Sequence, residues 1–143
     1  MFEKVLLPTD GSETALRAAA YLVNLLQERP GMKVTLLNVY TIPPAFNTYD
    51  SPIPPVGLVD SIKQMAQRAL DRTEAVFKEA GFSVETMAME GDPGRDIPQF
   101  ARNKGYDHIV MGSKGTGSIS GLVFGSVANK VLHVATCPVI IIK

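Results

Sequence analysis

The sequence predicts an α/β protein built on a parallel, doubly wound sheet. Short runs of apolar residues alternate with longer segments in which apolar residues recur at helical spacing. The resulting order, βαβαβαβαβ, favours parallel strands joined by helical crossovers. The chain has 143 residues, of which 45% are hydrophobic. This is enough for one buried core, so residues 1–143 are predicted to form a single domain.

The first strand and helix are predicted from the opening residues. Residues 4–8 form a nearly continuous apolar run, as expected of a strand that is buried on both faces. Ser12 follows a glycine and is a favourable N-cap, so a helix is predicted to begin there. Pro30 and Gly31 end that helix, because neither residue continues a helix well.

The next two elements lie on either side of an irregular, proline-rich stretch. Residues 33–39 are predicted as the second strand, and residues 40–57 as a long connection. A long helix is predicted over residues 58–80, where apolar residues fall on one face. Gly81 stands where a C-terminal glycine cap belongs.

The third and fourth strands lie on either side of a shorter helix. Residues 82–89 roughly alternate between apolar and polar, which suits a strand at the edge of a sheet. Asp92 followed by Pro93 is typical of an N-cap and the first helical position. Residues 107–111 are predicted as the fourth strand, with His108 as a packing residue of that strand.

The C-terminal part begins with a glycine-rich loop over residues 112–124. A helix is predicted to start at Gly125 or Ser126, and its inward face is small and apolar. Pro138 then leads into Val139–Ile142, a short apolar run that is predicted as the fifth strand.

Two strand ends carry residue types that suit a ligand. In doubly wound sheets, ligands bind outside the carboxyl ends of the strands, where the strand order reverses. The turn 8–10 follows the first strand, and the run 112–115, with sequence GSKG, follows the fourth. Glycine allows main-chain amides to approach a ligand, and a helix N-terminus favours phosphate. Gly125 and Ser126 at a helix start therefore complete a candidate phosphate site.

Common nucleotide-binding signatures do not fit. The sequence has no G-x-x-x-x-G-K-[ST] motif. Gly115 and Gly117 begin a run like G-x-G-x-x-G, but its last position is Ser120, and the run follows the fourth strand rather than the first. We therefore reject a P-loop and a dinucleotide fingerprint.

The glycine positions resemble those of a known family. Gly112, Gly115, Gly125 and Ser126 match the G-x2-G-x9-G-[ST] motif of universal stress proteins. The chain is similar to that family from its opening VLLPTDGSE to its closing ATCPVIIIK, which is essentially its whole length. The resemblance implies a five-stranded parallel sheet of order 3-2-1-4-5, with the first and fourth strands side by side.

The resemblance also implies an ATP site. Main-chain groups of Thr9 and Val39 would recognise the base, Asp10 would approach the nucleoside or a metal-bound water, and Lys114 would add a positive charge. The residues so implied are Pro8, Thr9, Asp10, Val39, Met111, Gly112, Ser113, Lys114, Gly115, Gly125, Ser126 and Val127. No side-chain metal cluster is evident, so Mg²⁺ or Mn²⁺ would arrive with the phosphates.

Composition narrows the partners and the location. The 14 basic and 14 acidic residues give a formal net charge of zero, so nothing favours a nucleic-acid partner. No run approaches the roughly 20 apolar residues of a membrane helix. The N-terminus does not resemble a signal peptide, and Cys137 is the only cysteine. We expect a cytoplasmic protein with no membrane partner.

The function expected from this pattern is ATP-dependent regulation in a stress response. Val139–Ile142 would be an apolar edge strand, and the family pairs its equivalents, so a homodimer through this strand is expected. A further protein partner is expected but not identified. No catalytic residue is assigned. The alternatives are a slow ATP hydrolase and a dimeric stress module without nucleotide. A phospho-receiver is less favoured, because Asp10 has no adjacent acid.

Overall fold

The computed structural model describes residues 1–43, 56–115 and 124–143. It contains five strands and four helices in the predicted alternating order. The strands are β1 Lys4–Pro8, β2 Lys33–Tyr40, β3 Glu85–Glu90, β4 His108–Gly112 and β5 Val139–Ile142, and the helices are α1 Glu13–Glu28, α2 Leu58–Glu79, α3 Pro93–Asn103 and α4 Ser126–Val134. Most of the predicted connection 40–57 and much of the glycine-rich loop 112–124 lie outside the described residues.

The five strands form one parallel sheet of order β3-β2-β1-β4-β5. This confirms the predicted fold class and strand order. The chain moves outward from β1 to β2 and β3, and then returns to place β4 on the other side of β1. The carboxyl ends of β1 and β4 therefore lie side by side at the point where the order reverses.

Helices cover both faces of the sheet. Apolar residues of α1 and α2 pack on one face, where Leu22 and Phe77 are fully buried. Residues of α3 and α4 pack on the other face, where Ile97 and Val131 are buried. No helix among the described residues is long and apolar enough to cross a bilayer.

The third strand begins later than the sequence predicted. Gly81 adopts a positive φ of 85°, and the Phe82 N–H donates to the Phe77 carbonyl over 3.0 Å. This confirms the predicted glycine cap. Because Phe82 still belongs to the helix terminus, β3 starts at Glu85 instead of residue 82. Five of its six residues are exposed, in keeping with the predicted edge position.

Side chains fill the space at the amino ends of β1 and β4. Asp107 Oδ2 accepts hydrogen bonds from the backbone N–H groups of Glu3 and Lys4, at 2.8 and 2.9 Å. The buried His108 ring stacks on Phe2 with a centroid distance of 3.8 Å, and its Nδ1 lies 2.7 Å from Asp107 Oδ1. His108 is therefore a packing residue, as predicted.

Candidate functional site

A cavity of about 450 Å³ opens at the carboxyl edge of the sheet. It lies at the ends of β1, β2 and β4 and at the start of α4. All twelve residues that the family resemblance implies line it: Pro8, Thr9, Asp10, Val39, Met111, Gly112, Ser113, Lys114, Gly115, Gly125, Ser126 and Val127. Residues separated by more than 100 positions in sequence thus meet around one cavity.

Thr9, in the turn after β1, is fixed by hydrogen bonds on several sides. The Thr73 hydroxyl donates to the Ala69 carbonyl over 2.8 Å, so the Thr9 hydroxyl, 2.7 Å from it, must be the donor between the two threonines. The Gly11 N–H donates to Thr9 Oγ1 over 3.1 Å. This chain of hydrogen bonds anchors the turn to α2 and holds its main chain at the rim of the cavity.

Asn38 lines the cavity and is not among the residues predicted from the sequence. Its Nδ2 donates to the Thr9 carbonyl over 2.9 Å, which ties the end of β2 to the turn after β1. No described residue donates to its buried Oδ1. One signal in the sequence could have revealed Asn38: it is a polar amide near the end of a mostly apolar strand. A polar side chain in a buried strand needs a hydrogen-bond partner.

Gly112 is a glycine because α1 approaches it closely. A Cβ at this position would lie 2.4 Å from Thr14 Oγ1 and 2.7 Å from the backbone N of Ala15. The sequence alone favours a different reason for this glycine, the approach of a ligand. The contact that excludes a side chain at Gly112 comes instead from the protein's own first helix.

Residues of α1 and of the turn before it hold the peptide groups of Lys114. The Thr14 hydroxyl donates to the Lys114 carbonyl over 2.5 Å, and the Lys114 N–H approaches Thr14 Oγ1 at 3.3 Å. The Ser12 hydroxyl also donates to that carbonyl, over 3.2 Å. Ser12 occupies the predicted N-cap position, but its side chain makes no capping hydrogen bond. The predicted N-cap position of Ser12 is thus confirmed, although its hydroxyl bonds to Lys114 instead of to the first turn of α1.

Gly115 lies against the carboxylate of Asp10. A Cβ on Gly115 would stand 2.5 Å from Asp10 Oδ2. The other carboxylate oxygen, Oδ1, accepts the N–H of Ser12 over 3.0 Å. Any side chain at position 115 would therefore force Asp10 to move away from the position that the turn gives it.

The helix α4 begins where the sequence predicted. Ser126 is its first residue, and Gly125 precedes it in an extended conformation as the N-cap. The Gly125 N–H donates to the Ser113 carbonyl over 2.7 Å, which joins the two halves of the glycine motif. The amides of Ser126 and Val127 have no acceptor within the helix, since the first turn of any helix leaves its N–H groups open.

Some main-chain N–H groups at the cavity already donate within the protein, and the others are available to a ligand. The Ser113 N–H donates to the Ile142 carbonyl over 2.8 Å, and the Gly125 N–H is used as described above. Among the described residues, Gly115 N–H has no acceptor. The amides of Gly115, Ser126 and Val127 therefore remain for an anion, whereas those of Ser113 and Gly125, which the resemblance also implied, do not.

The rest of the cavity wall is largely apolar. Val39, Ile97 and Met111 are buried side chains of one core cluster and line the cavity. The first turn of α4 carries no acidic residue that would repel an anion. In the part of the chain that the structure describes, no three His, Cys, Asp or Glu residues are grouped as a metal site. The arrangement combines apolar walls with main-chain donors at one end.

Seven lining residues were not predicted. They are Ser12, Ala15, Leu37, Asn38, Pro93, Ile97 and Ala128. Most are core residues of strands or helices, whose patterns predict burial but not which of them borders a cavity. Only the packing of α1, α3 and α4 on the sheet brings them to this edge.

The strand order and the cavity at the reversal point define an α/β protein of the flavodoxin-like type. The model of the universal stress protein family matches residues 1–143, and the chain belongs to that family. Universal stress protein MJ0531 of Methanocaldococcus jannaschii is 31% identical over 147 residues, which cover 100% of this chain and 83% of the relative.

Solved structures share the fold. The structure of MJ0577, also a universal stress protein of Methanocaldococcus jannaschii, superposes with a TM-score of 0.83 at 26% identity and covers 100% of this chain and 96% of its own. A universal stress protein from Archaeoglobus fulgidus, solved in complex with dAMP, has a TM-score of 0.70 at 24% identity and covers 100% of this chain and 98% of its own. At 24% identity, the similarity to the Archaeoglobus fulgidus protein shows a shared fold.

Proposed function

We propose that this protein binds ATP in the cavity at the carboxyl edge of the sheet and acts as a nucleotide-dependent regulator in a stress response. One observation carries the proposal. The main-chain amides of Gly115 and of the first turn of α4 border the same cavity, although the two segments lie on different elements. Such a cluster suits an anion, because it combines free N–H groups with the positive end of a helix dipole.

The cavity suits an adenine nucleotide in size and polarity. Its volume of about 450 Å³ falls within the range of small-molecule sites. The apolar side chains of Val39, Ile97 and Met111 would cover the faces of a base, and the Val39 main chain would bond to its edge. Asp10 would meet the ribose, and the amides of Gly115 and Ser126 would bind phosphates.

We propose that any Mg²⁺ or Mn²⁺ is carried by the phosphates. The described residues offer no cluster of three metal ligands, so the phosphate oxygens would supply most of the coordination. Asp10 is the carboxylate at the cavity that lies near enough to the glycine motif to accept a hydrogen bond from a metal-bound water.

Isothermal titration calorimetry with ATP, in the presence and absence of Mg²⁺, tests the proposal. We expect saturable binding with one nucleotide per chain, and weaker binding of adenosine because it lacks the phosphates. Mass spectrometry of the native protein as purified provides an independent measurement, since a bound adenine nucleotide would add its mass. Absence of saturable ATP binding under both metal conditions would contradict the proposal.

We also propose a homodimer formed through β5. All four residues of this edge strand are only partly buried, and Leu132 and Val134 of the neighbouring helix are 38% and 44% exposed. An apolar edge of this kind is usually covered in the native protein. Ile141→Lys should give monomers or aggregates in sedimentation velocity. A variant that sediments as the same dimer as the wild type would exclude β5 as the interface.

A further inference from the structure

Thr14 occupies an unusual position beside the glycine motif. It lies in the first turn of α1, is 8% exposed, and is not among the residues that line the cavity. Its hydroxyl nevertheless contacts both peptide groups of Lys114, with a donated bond of 2.5 Å to the carbonyl and an N–H to Oγ1 distance of 3.3 Å. One side chain of α1 thus holds the backbone of Lys114, directly after the end of β4.

We propose that Thr14 is a positioning residue for the phosphate-binding half of the site, an inference that rests on the proposed ATP function. The Lys114 carbonyl belongs to the same peptide group as the Gly115 N–H. Fixing that carbonyl therefore fixes the direction of the Gly115 N–H, an amide that is left for a phosphate. The Thr14 hydroxyl thereby orients the Gly115 N–H without touching the nucleotide.

The packing around Gly112 supports this role. A Cβ at position 112 would meet Thr14 Oγ1 at 2.4 Å and the backbone N of Ala15 at 2.7 Å, so the end of β4 lies directly against the first turn of α1. The Ser12 hydroxyl donates to the same carbonyl at a longer distance, 3.2 Å. Thr14 makes the shorter bond to the carbonyl, and its hydroxyl oxygen also lies near the Lys114 N–H, which Ser12 does not contact. Thr14 should therefore contribute more than Ser12 to fixing the Lys114 backbone.

The experiment compares ATP with adenosine, which lacks phosphates, by calorimetry on Thr14→Val and Thr14→Ser. Valine keeps the shape of threonine but cannot donate to Lys114, whereas serine retains the hydroxyl. We expect Thr14→Val to bind ATP roughly 3- to 10-fold more weakly, the loss typical of one hydrogen bond, with adenosine affinity nearly unchanged. Thr14→Ser should retain the wild-type ratio of the two affinities.

Thr35→Val is the matched control. Thr35 is 5% exposed and its Oγ1 accepts a hydrogen bond from the Tyr106 hydroxyl over 2.8 Å, but it does not line the cavity. Its replacement removes a buried threonine hydroxyl of similar burial, so it should lower stability while leaving the ratio of ATP to adenosine affinity unchanged. Any general effect of losing a buried hydroxyl would appear in this control.

The outcomes separate this inference from the proposed function. A wild-type protein that binds no ATP would overturn both. If the wild type binds ATP and Thr14→Val keeps the wild-type ratio of the two affinities, only the role of Thr14 is overturned. The same holds if Thr14→Ser binds ATP as weakly as Thr14→Val does. Thr14→Ala, which adds no second methyl group, replaces Thr14→Val in this comparison if the valine variant does not fold.

Discussion

The amino ends of β1 and β4 differ from the carboxyl ends of the same two strands. At the amino ends, side chains fill the space, with the Asp107 carboxylate bonded to two backbone amides and the His108 ring stacked on Phe2. At the carboxyl ends, glycines and small residues border a cavity of about 450 Å³, and several main-chain amides there are left open. The same pair of strands is thus closed by side chains at one end and left open at the other.

Because of this difference, substitutions at the two edges of the same sheet should affect different properties, stability at one edge and ligand binding at the other. Bonds at the amino ends are satisfied inside the protein, so a change there should alter the free energy of unfolding and leave ligand binding intact. Open amides at the carboxyl ends contribute little to folding and suit an external anion. Gly112 is an exception, because it lies at the cavity but is required by the packing of α1.

Replacing Gly112 should therefore give the largest effect. In Gly112→Ala, the new Cβ would meet backbone atoms of Thr14 and Ala15 at 2.7 Å, and backbone cannot move away as a side chain can. We expect the free energy of unfolding to fall by roughly 3 kcal/mol, at the upper end for overpacking, and ATP binding to be lost. Urea denaturation and calorimetry measure the two effects.

Gly31→Ala is the control for that prediction. A Cβ at Gly31 would meet nothing within 4 Å, and its φ is not positive. Its free energy of unfolding should stay the same or rise by about 0.5 kcal/mol. If Gly112→Ala were as stable as Gly31→Ala, the close approach of α1 to β4 would be wrong.

Gly115→Ala should affect binding more than stability. The new methyl group would meet Asp10 Oδ2 at 2.5 Å, and this carboxylate is the end of a side chain that can rotate away. We expect ATP affinity to fall by about tenfold, as for the loss of one to two hydrogen bonds, while the midpoint of urea denaturation changes little. Unchanged ATP affinity would show that the Asp10 position does not matter for the nucleotide.

Asp107→Asn should show the reverse pattern at the amino ends. Burial raises the pKa of Asp107, but the hydrogen bonds from His108 and from the amides of Lys4 and Glu3 outweigh it, so the pKa lies below its ordinary value. A lowered pKa means that the carboxylate stabilises the fold above its unfolded pKa and that this contribution is lost as the pH falls through the folded pKa.

The variant should therefore be less stable at pH 7 by roughly 1 kcal/mol, the difference between hydrogen bonds to a charged and to a neutral acceptor. It should also lose less stability than the wild type between pH 7 and pH 3, and bind ATP normally. Urea denaturation at both pH values, with calorimetry at pH 7, measures this. Equal pH dependence in variant and wild type would contradict the role of the carboxylate.

Local patterns were sufficient to predict the strands and helices, but not the order of the strands in the sheet. Apolar runs and one alternating segment predicted all five strands, and the glycine after α2 predicted the end of that helix, although β3 begins three residues later than expected. The strand order came from the family resemblance, because periodicity alone does not say which strands are neighbours. The start of α4 at Ser126 was predicted from a small-residue pair that suits a helix N-terminus.

The contacts within the site could not be predicted in the same way. The bond between Thr14 and the Lys114 carbonyl joins residues 100 positions apart, and neither residue type indicates its partner. The reason for Gly112 likewise lies in the path of α1 rather than in the loop that contains it. Asn38 had a local signal, a polar residue in a buried strand, but its acceptor, the Thr9 carbonyl, becomes visible only in three dimensions.

The most direct test of the central claim follows the individual main-chain amides during an ATP titration by two-dimensional ¹H–¹⁵N NMR. The amide signals of Gly115, Ser126 and Val127 should shift strongly and saturate together, because these N–H groups are open at the cavity. The signals of Glu3 and Lys4, bonded to Asp107 at the opposite ends of the strands, should stay in place. Saturable shifts that leave Gly115, Ser126 and Val127 unaffected would contradict the account.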